Sequence, residues 1–167
     1  MLKPGVYLDT NIISAYWYEG SDVMSLARRI HTRDWWESER LHFRVWISAT
    51  TINELKAGRF SRQADCVRMA SRIPRLPINK ATQGAAHELL RSRTFPADKP
   101  GDIMQMAVAA AHEIDYLLTW NYAHLCNPAA QGKLAEICRS LRLRAPLIVS
   151  PESIPQVRFG QTIRRPT

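Results

Sequence analysis

The stretch GVYLDTNII, residues 5–13, decides the predicted fold. Residues 6–8 are a short, continuous run of β-prone residues, as expected of a strand that is buried on both faces. Asp9, Thr10 and Asn11 are residue types that favour the beginning of a helix, and the apolar residues after them can continue it. A buried strand that passes at once into a helix is typical of a parallel α/β sheet.

The same alternation of strands and helices continues along the chain. Further strands are predicted at 42–48, 116–119 and 147–149, with helical segments between them and from 134 to 141. This order favours one α/β domain over residues 1–155, in three α/β/α layers around a central, mainly parallel sheet. Residues 156–167 have no apolar period, and we expect them to form a mobile basic tail.

Composition limits the class of protein. The 167 residues suit one domain, and 46% hydrophobic with 23% charged residues is typical of a packed globular protein. No apolar run approaches the roughly 20 residues of a membrane helix, and residues 1–8 contain no signal-peptide core. Three scattered cysteines are expected to be reduced thiols. We therefore expect a cytoplasmic protein with no membrane segment.

The charge of the chain indicates a polyanionic partner. The 23 Lys and Arg residues outnumber the 15 Asp and Glu residues, which gives a net charge of +8. Such a balance favours binding to nucleic acid or to an anionic surface. A GC-rich genome would also enrich arginine, so the charge alone does not choose between these explanations.

Four polar residues are predicted to meet at one edge of the sheet. Asp9 directly follows the first strand, and Asn121 follows the strand at 116–119 by two residues. Glu54 lies in the helix after the second strand, and Asp102 lies in the first turn of the helix before residues 116–119. The ligand sites of parallel sheets lie beyond the carboxyl ends of the strands, where these side chains can converge.

Carboxylates that converge raise one another's pKa unless a cation neutralises them. Mg²⁺ or Mn²⁺ suits such an oxygen-only site, and a hydrated divalent ion can activate water and neutralise charge on a phosphodiester. An acidic metal site in a basic protein is therefore the arrangement expected of a nuclease.

Each residue also has a simpler explanation when it is taken alone. Asp9 can cap the following helix, and Asp102 is favourable at a helix start in any case. Glu54 can be an ordinary solvent-facing residue, and Asn121 can be a turn residue. The joint placement of the four residues is what favours a functional site.

Four motifs resemble those of PIN-domain proteins, especially the VapC-type toxins of bacterial toxin–antitoxin pairs. They occur in order as VYLDTNI at 6–12, ISATTINEL at 47–55, GDIMQMA at 101–107 and LLTWNYAHL at 117–125. Each motif alone is weak, but four in order are specific, and the resemblance covers roughly residues 5–155. It implies an α/β/α fold and a Mg²⁺- or Mn²⁺-dependent endoribonuclease in which water attacks the RNA phosphodiester in line.

The resemblance also implies a role for individual residues. It matches Asp9, Glu54 and Asp102 to the metal-binding acids of the family. Asn121 matches a fourth catalytic position, and Thr119 and Asn11 match supporting positions. Arg59 and Arg62, which follow Glu54 closely, are predicted to contact RNA phosphates. Because the family usually dimerises and is inhibited by a partner protein, we expect a homodimer and an antitoxin.

The sequence departs from the family at two positions. Asn121 stands where the family often has Asp, and a neutral amide would hold a second metal ion more weakly. One or two metal ions therefore remain possible. Gln105 stands where the family often has His, so we assign no catalytic role to Gln105.

The neutral Asn121 also motivates an alternative function, a non-catalytic PIN-like module that binds RNA or protein. A phosphotransfer enzyme with an Asp nucleophile fits less well, because residue 11 is Asn where that chemistry would place a second Asp. No Gly-rich phosphate loop is present.

Overall fold

A computed structural model describes residues 2–154 of the chain. Within them, four parallel strands form one sheet in the order β2-β1-β3-β4. The strands are β1 (Gly5–Leu8), β2 (Arg44–Trp46), β3 (Tyr116–Leu118) and β4 (Leu147–Val149). The predicted parallel α/β sheet is thus confirmed, and each predicted strand is found. The predicted tail at 156–167 lies outside the described residues.

Seven α-helices occur in residues 2–154. A π-helical turn (Trp35–Glu39) and a 3-10 turn (Arg40–His42) connect the second helix to β2. The helices are α1 (Thr10–Tyr16), α2 (Val23–Asp34), α3 (Ala49–Ala57), α4 (Gln63–Ser71), α5 (Lys80–Arg91), α6 (Pro100–Ala111) and α7 (Pro128–Ser140).

The buried core has two halves, one on each face of the sheet. Tyr7 and Leu117 belong to one cluster, which also contains buried side chains of α5, α6 and α7. Leu8 and Leu118 belong to the other, with buried side chains of α1, α3 and α4. Successive residues of a strand point to opposite faces, so both faces are covered by helices. The predicted three-layer α/β/α arrangement is confirmed.

Helix α7 begins six residues earlier than the apolar period predicts. Asn127 caps it, because its side chain accepts a hydrogen bond of 2.9 Å from the backbone N–H of Ala130. Pro128 occupies the first helical position, where a missing N–H costs nothing. The apolar spacing starts only at Leu134, because residues 128–133 contain no large apolar side chain. The apolar period therefore does not indicate the first turns of α7.

Two further expectations concern the thiols and the membrane. Cys66, Cys126 and Cys138 are all free thiols, as predicted. In the part of the chain that the structure describes, no helix is long and apolar enough to cross a membrane.

The register of the sheet places two residues of the candidate site side by side. Leu8 pairs with Leu118, so Asp9 and Thr119 follow neighbouring strands at the same edge. The Asp9 N–H donates to the Leu118 carbonyl at 3.0 Å, and the Thr119 N–H donates to the Val149 carbonyl at 2.9 Å. These backbone bonds fix both residues relative to the sheet.

Two substitutions in α7 test the account of its first turns. Asn127→Ala removes the cap and should lower the free energy of unfolding by about 1 kcal/mol. Gly132→Ala should raise it by roughly 0.5–1 kcal/mol, because a Cβ at this helical position meets nothing within 4 Å. Urea unfolding of both variants measures the effects. Equal stability of Asn127→Ala and wild type would show that α7 does not depend on this cap.

Candidate active site

Asp9 forms the centre of a buried hydrogen-bond cluster, although it stands at the N-cap of α1. Its Oδ2 accepts hydrogen bonds from Thr119 Oγ1 at 2.5 Å and from Asn11 Nδ2 at 2.7 Å. Asp9 is only 4% exposed, and its side chain makes no cap hydrogen bond to α1. Burial raises the pKa of this carboxylate, whereas the backbone N–H groups of Thr10 and Asn11, at the start of α1, act to lower it, so Asp9 serves the helix start and the cluster together. The structure brings Asp9 together with Asn11 and Thr119, as the sequence predicts.

The segment after β3 is held against α1 by the same cluster. Asn11 Oδ1 accepts from the Trp120 N–H at 3.0 Å, and Thr119 Oγ1 accepts from the Asn121 N–H at 3.0 Å. Asn11 Nδ2 also donates to Thr119 Oγ1 at 3.0 Å. Asn11 and Thr119 thereby connect the Asp9 carboxylate to the backbone of residues 120 and 121. These bonds fix Asn121 relative to Asp9.

Glu54 lies on α3, which is anchored to the sheet by Tyr7. The Tyr7 hydroxyl forms hydrogen bonds with Ser48 Oγ at 2.7 Å and with Thr51 Oγ1 at 3.2 Å, at the beginning of α3. Burial raises the pKa of Tyr7 to about 12, so its hydroxyl keeps its proton. The first turn of α3 is therefore fixed against β1, which directs Glu54 toward the edge that carries Asp9.

Three residues surround the Glu54 carboxylate, and the sequence analysis predicted none of these contacts. Glu54 Oε2 accepts hydrogen bonds from Thr10 Oγ1 and, at 3.1 Å, from Gln105 Nε2. A Cβ at Gly101 would overlap Glu54 Oε1, so a side chain at this position would displace the Glu54 carboxylate. Gln105, to which the sequence analysis assigned no catalytic role, is a buried residue of α6 beside the acidic residues. Glycine beside a predicted acid was the only signal available in the sequence.

Asp102 and Asn121 contact each other directly. Asn121 Nδ2 donates to Asp102 Oδ2 at 3.0 Å, and Asn121 Oδ1 accepts from the backbone N–H of His124 at 3.0 Å. Asp102 lies in the first turn of α6, as predicted. The structure thus brings the predicted fourth position to one of the predicted metal-binding acids.

The three acids affect one another electrostatically. Burial raises the pKa of Asp9, and burial together with the charge of Asp9 raises that of Glu54. The pKa of Asp102 is raised to about 6, first by burial and then by the charges of Asp9 and Glu54, although Lys99 and His124 oppose the shift. No described residue forms an ion pair with any of the three carboxylates. The hydrogen bonds to the three carboxylates therefore come from neutral donors, and Lys99 and His124 act on Asp102 without an ion pair.

The donor chemistry of the site fits Mg²⁺ or Mn²⁺. Carboxylate and amide oxygens are the ligands that these ions prefer, and Gln105 Oε1 adds a buried acceptor without a hydrogen-bond partner. Yet within residues 2–154 no three Asp, Glu, His or Cys side chains stand close enough to hold an ion together. Asp9, Glu54 and Asp102 would therefore have to move closer together, by side-chain rotation, to bind one ion jointly.

The two predicted RNA-binding arginines differ in their surroundings. Arg59 is exposed after the end of α3. Arg62 forms ion pairs with Asp65 at 2.6 Å and Glu19 at 2.5 Å, and its guanidinium lies over the Trp17 ring at 4.7 Å. A phosphate would have to compete with two carboxylates for Arg62, whereas Arg59 carries no such ion pair in the part of the chain described.

The fold is similar to that of two solved structures. No protein-family model matches the chain, and no curated protein matches it. FitAcB from Neisseria gonorrhoeae is 14% identical over 89% of this chain and 99% of that chain, with a TM-score of 0.54. VapBC2 from Rickettsia felis bound to a DNA fragment from their promoter is 16% identical over 87% and 97%, with a TM-score of 0.53. At these identities the similarity shows the fold, and the predicted PIN-like α/β/α fold is confirmed.

The raised pKa of Asp102 predicts a pH dependence of stability in the metal-free protein. The folded protein keeps the Asp102 proton up to about pH 6, whereas the unfolded chain releases it near its ordinary value of 3.8. The folded state therefore binds more protons between these values, and its free energy of unfolding falls as the pH rises through this window. Asp102→Asn removes this share of the dependence, and it should stabilise the protein by about 1–2 kcal/mol at pH 7.

Urea unfolding between pH 4.5 and 7.5 in EDTA measures both effects. Glu136→Gln is the control, since it removes an exposed carboxylate of α7 that pairs with Lys133. If wild type and Asp102→Asn show the same pH dependence, burial and the neighbouring acids do not raise the pKa of Asp102 as described.

Proposed function

We propose that this protein is a metal-dependent endoribonuclease that uses water to cleave RNA phosphodiesters, and that it is the toxin of a type II toxin–antitoxin pair. The observation that carries the proposal is that three carboxylates, at the carboxyl edge of a parallel sheet, form no ion pair among the described residues and have raised pKa values. A net charge of +8 on the chain supports an RNA substrate. The fold that the chain shares with the VapBC2 structure, together with motifs that resemble VapC-type toxins, supports the toxin role.

Asp9, Glu54 and Asp102 would hold Mg²⁺ or Mn²⁺ in this proposal. When bound, such an ion lowers the pKa of a coordinated water and neutralises charge that develops on the phosphate. The residues around the acids have a supporting task. Thr119 and Asn11 orient the Asp9 carboxylate through their hydrogen bonds, and such neighbours of metal ligands usually affect metal affinity 10–100-fold. Thr10 and Gln105 do the same for Glu54.

Asn121 is proposed to position Asp102 rather than to add charge to the site. Its amide N–H donates to Asp102, and its amide oxygen is occupied by the His124 backbone. A residue held in this way keeps one carboxylate in place while the ion is absent. The proposal therefore favours a single tightly held metal ion, with a second ion bound only weakly.

RNA would reach the acids along the basic surface of the protein. Exposed Arg59 is the better placed of the two predicted arginines to contact phosphate, since Arg62 is already paired with carboxylates. An antitoxin protein and a second copy of the chain are the proposed protein partners. Co-expression with the product of the neighbouring reading frame, followed by measurement of the mass of the purified complex, tests both.

Removal of single acids tests the proposed activity. Asp9→Asn and Asp102→Asn should each reduce RNA cleavage in Mn²⁺ by at least about 100-fold, because loss of a ligand costs more than loss of a supporting residue. The measurement uses structured and unstructured RNA, with EDTA as the metal-free reference. Glu136→Gln matches the loss of charge on an exposed residue of α7 and should cleave as wild type does. Unchanged cleavage by both Asp variants would show that the proposed site is wrong.

The non-catalytic alternative has one observation in its favour, which is that within residues 2–154 no three Asp, Glu, His or Cys side chains are grouped closely enough to hold an ion. Calorimetric titration with Mg²⁺ and Mn²⁺ distinguishes the two functions. RNA binding without metal binding at millimolar concentrations would favour a PIN-like binding module. Saturable metal binding that is lost in Asp9→Asn is the result expected of the nuclease.

Restoring a carboxylate at residue 121 tests the role of the amide. Asn121→Asp replaces the donor to Asp102 with a fourth acid, so it should lower the metal-free stability by about 1 kcal/mol and tighten Mn²⁺ binding. Asn121→Ala is the matched control, since it removes the donor without adding charge. Thermal unfolding with EDTA and with Mn²⁺ measures both quantities. Equal Mn²⁺ affinity in the Asp and Ala variants would contradict a role for residue 121 beside the ion.

A further inference from the structure

A cavity lies directly beside the acidic residues. It encloses about 190 Å³ between α1, α2 and Trp120, and its lining includes Asn11, Tyr18, Ser25 and Arg28. The cavity shares a wall with the candidate active site, because Asn11 also donates to Asp9 at 2.7 Å and accepts from the Trp120 N–H. A ligand in the cavity would therefore be adjacent to the acids.

Arg28 brings a positive charge to this cavity. Hydrogen bonds from Ser25, and also this charge, lower the pKa of the nearby Asp22 carboxylate. Arg28 Nε is buried without a hydrogen-bond partner among the described residues, and Arg28 forms no ion pair within residues 2–154. Its guanidinium carbon lies 5.8 Å from the centre of the Trp120 ring. A guanidinium that lines a cavity and forms no ion pair among the described residues suits a ligand with acceptor oxygens.

The other two arginines of α2 form hydrogen bonds to the backbone of the protein. Arg29 Nη1 donates to the Tyr18 carbonyl at 2.9 Å, and Arg33 Nε donates to the Tyr16 carbonyl at 3.0 Å. Both side chains thus satisfy backbone acceptors after or at the end of α1. Arg28 contributes no such bond to the fold.

The lining of the cavity favours an anion with several acceptor oxygens. None of the described lining residues is acidic. The Tyr18 hydroxyl oxygen accepts from the Asp22 N–H at 3.2 Å, which leaves its proton for another acceptor. The nearby Asp22 carboxylate accepts from the Ser25 N–H at 2.9 Å as the cap of α2. A guanidinium and a phenol are suitable donors for a phosphate group.

We propose that this cavity is a phosphate subsite, in which Arg28 and Tyr18 bind the oxygens of an RNA phosphate next to the one that is cleaved. The inference rests on the proposed nuclease function. Asn11 and Ala15, which both line the cavity, are one turn of α1 apart, about 6 Å along the helix axis. Because Asn11 lines the cavity and also donates to Asp9, a strand with one phosphate at the acids can place a neighbouring phosphate in the cavity. Arg28 acts in binding and positioning, and the acids retain the chemistry.

Binding of a short single-stranded oligoribonucleotide tests the subsite without cleavage. Fluorescence anisotropy in EDTA compares wild type with Arg28→Gln, Arg28→Lys and Arg139→Gln. Arg28→Gln should weaken binding about tenfold or more, because a charge-assisted hydrogen bond is lost. It should also reduce the salt dependence by about 0.7 in the slope of log K against log salt. Arg139→Gln removes an exposed charge of α7 and should change the affinity less than about twofold.

Further measurements separate the subsite from its alternatives. Arg28→Lys keeps the charge but not the fork, so intermediate affinity is expected, and it carries the test if Arg28→Gln unfolds. Inorganic phosphate should compete with RNA in wild type but not in Arg28→Gln. In Mn²⁺, Arg28→Gln should raise KM more than it lowers kcat.

Three outcomes are decisive. Equal RNA affinity of Arg28→Gln and Arg139→Gln overturns the subsite, and wild-type cleavage in the same series leaves the nuclease function standing. Loss of RNA binding in Arg28→Gln together with no cleavage by wild type supports the subsite and contradicts the nuclease function. Loss of a protein partner in Arg28→Gln with unchanged RNA affinity overturns the subsite in favour of a protein contact.

Discussion

The candidate site depends on the hydrogen bonds that hold the buried carboxylate of Asp9. Asp9 follows β1 directly, and Thr119 follows the neighbouring strand β3, so the register of two parallel strands brings their side chains into contact. Asn11 closes the cluster from the first turn of α1. A buried carboxylate is unfavourable without such donors. These contacts therefore couple the stability of the sheet edge to the position of its central acid.

The same principle extends to the other two acids. Glu54 is held by a hydroxyl and an amide, and Asp102 is held by an amide, while no described cation pairs with any of the three. Neutral donors hold each acid without cancelling its charge, and burial together with the charges of neighbouring acids raises the pKa values of Glu54 and Asp102. A net charge of +8 on the chain, together with acids that form no ion pair among the described residues, is the combination on which the proposed nuclease function depends.

The sequence predicts the frame of this site better than its contacts. Alternating strands and helices were sufficient to predict the parallel sheet, and chain order placed Asp9 and Asn121 at its carboxyl edge. The hydrogen bonds from Thr10 and Gln105 to Glu54 join residues 44 and 51 positions apart, and no local pattern indicates such pairs. The unpaired state of Arg28 depends likewise on packing between α1, α2 and Trp120. Local spacing therefore gave the elements, and side-chain packing determined which polar groups share a partner.

Diffraction from crystals soaked in Mn²⁺ tests the central claim most directly, because the anomalous signal locates the ion independently of any assay. The account predicts a peak bound by oxygens of Asp9, Glu54 and Asp102, with the Glu54 carboxylate turned away from Thr10. A fully occupied soak with no peak at this edge, and with the three carboxylates still held by their neutral donors, would contradict it.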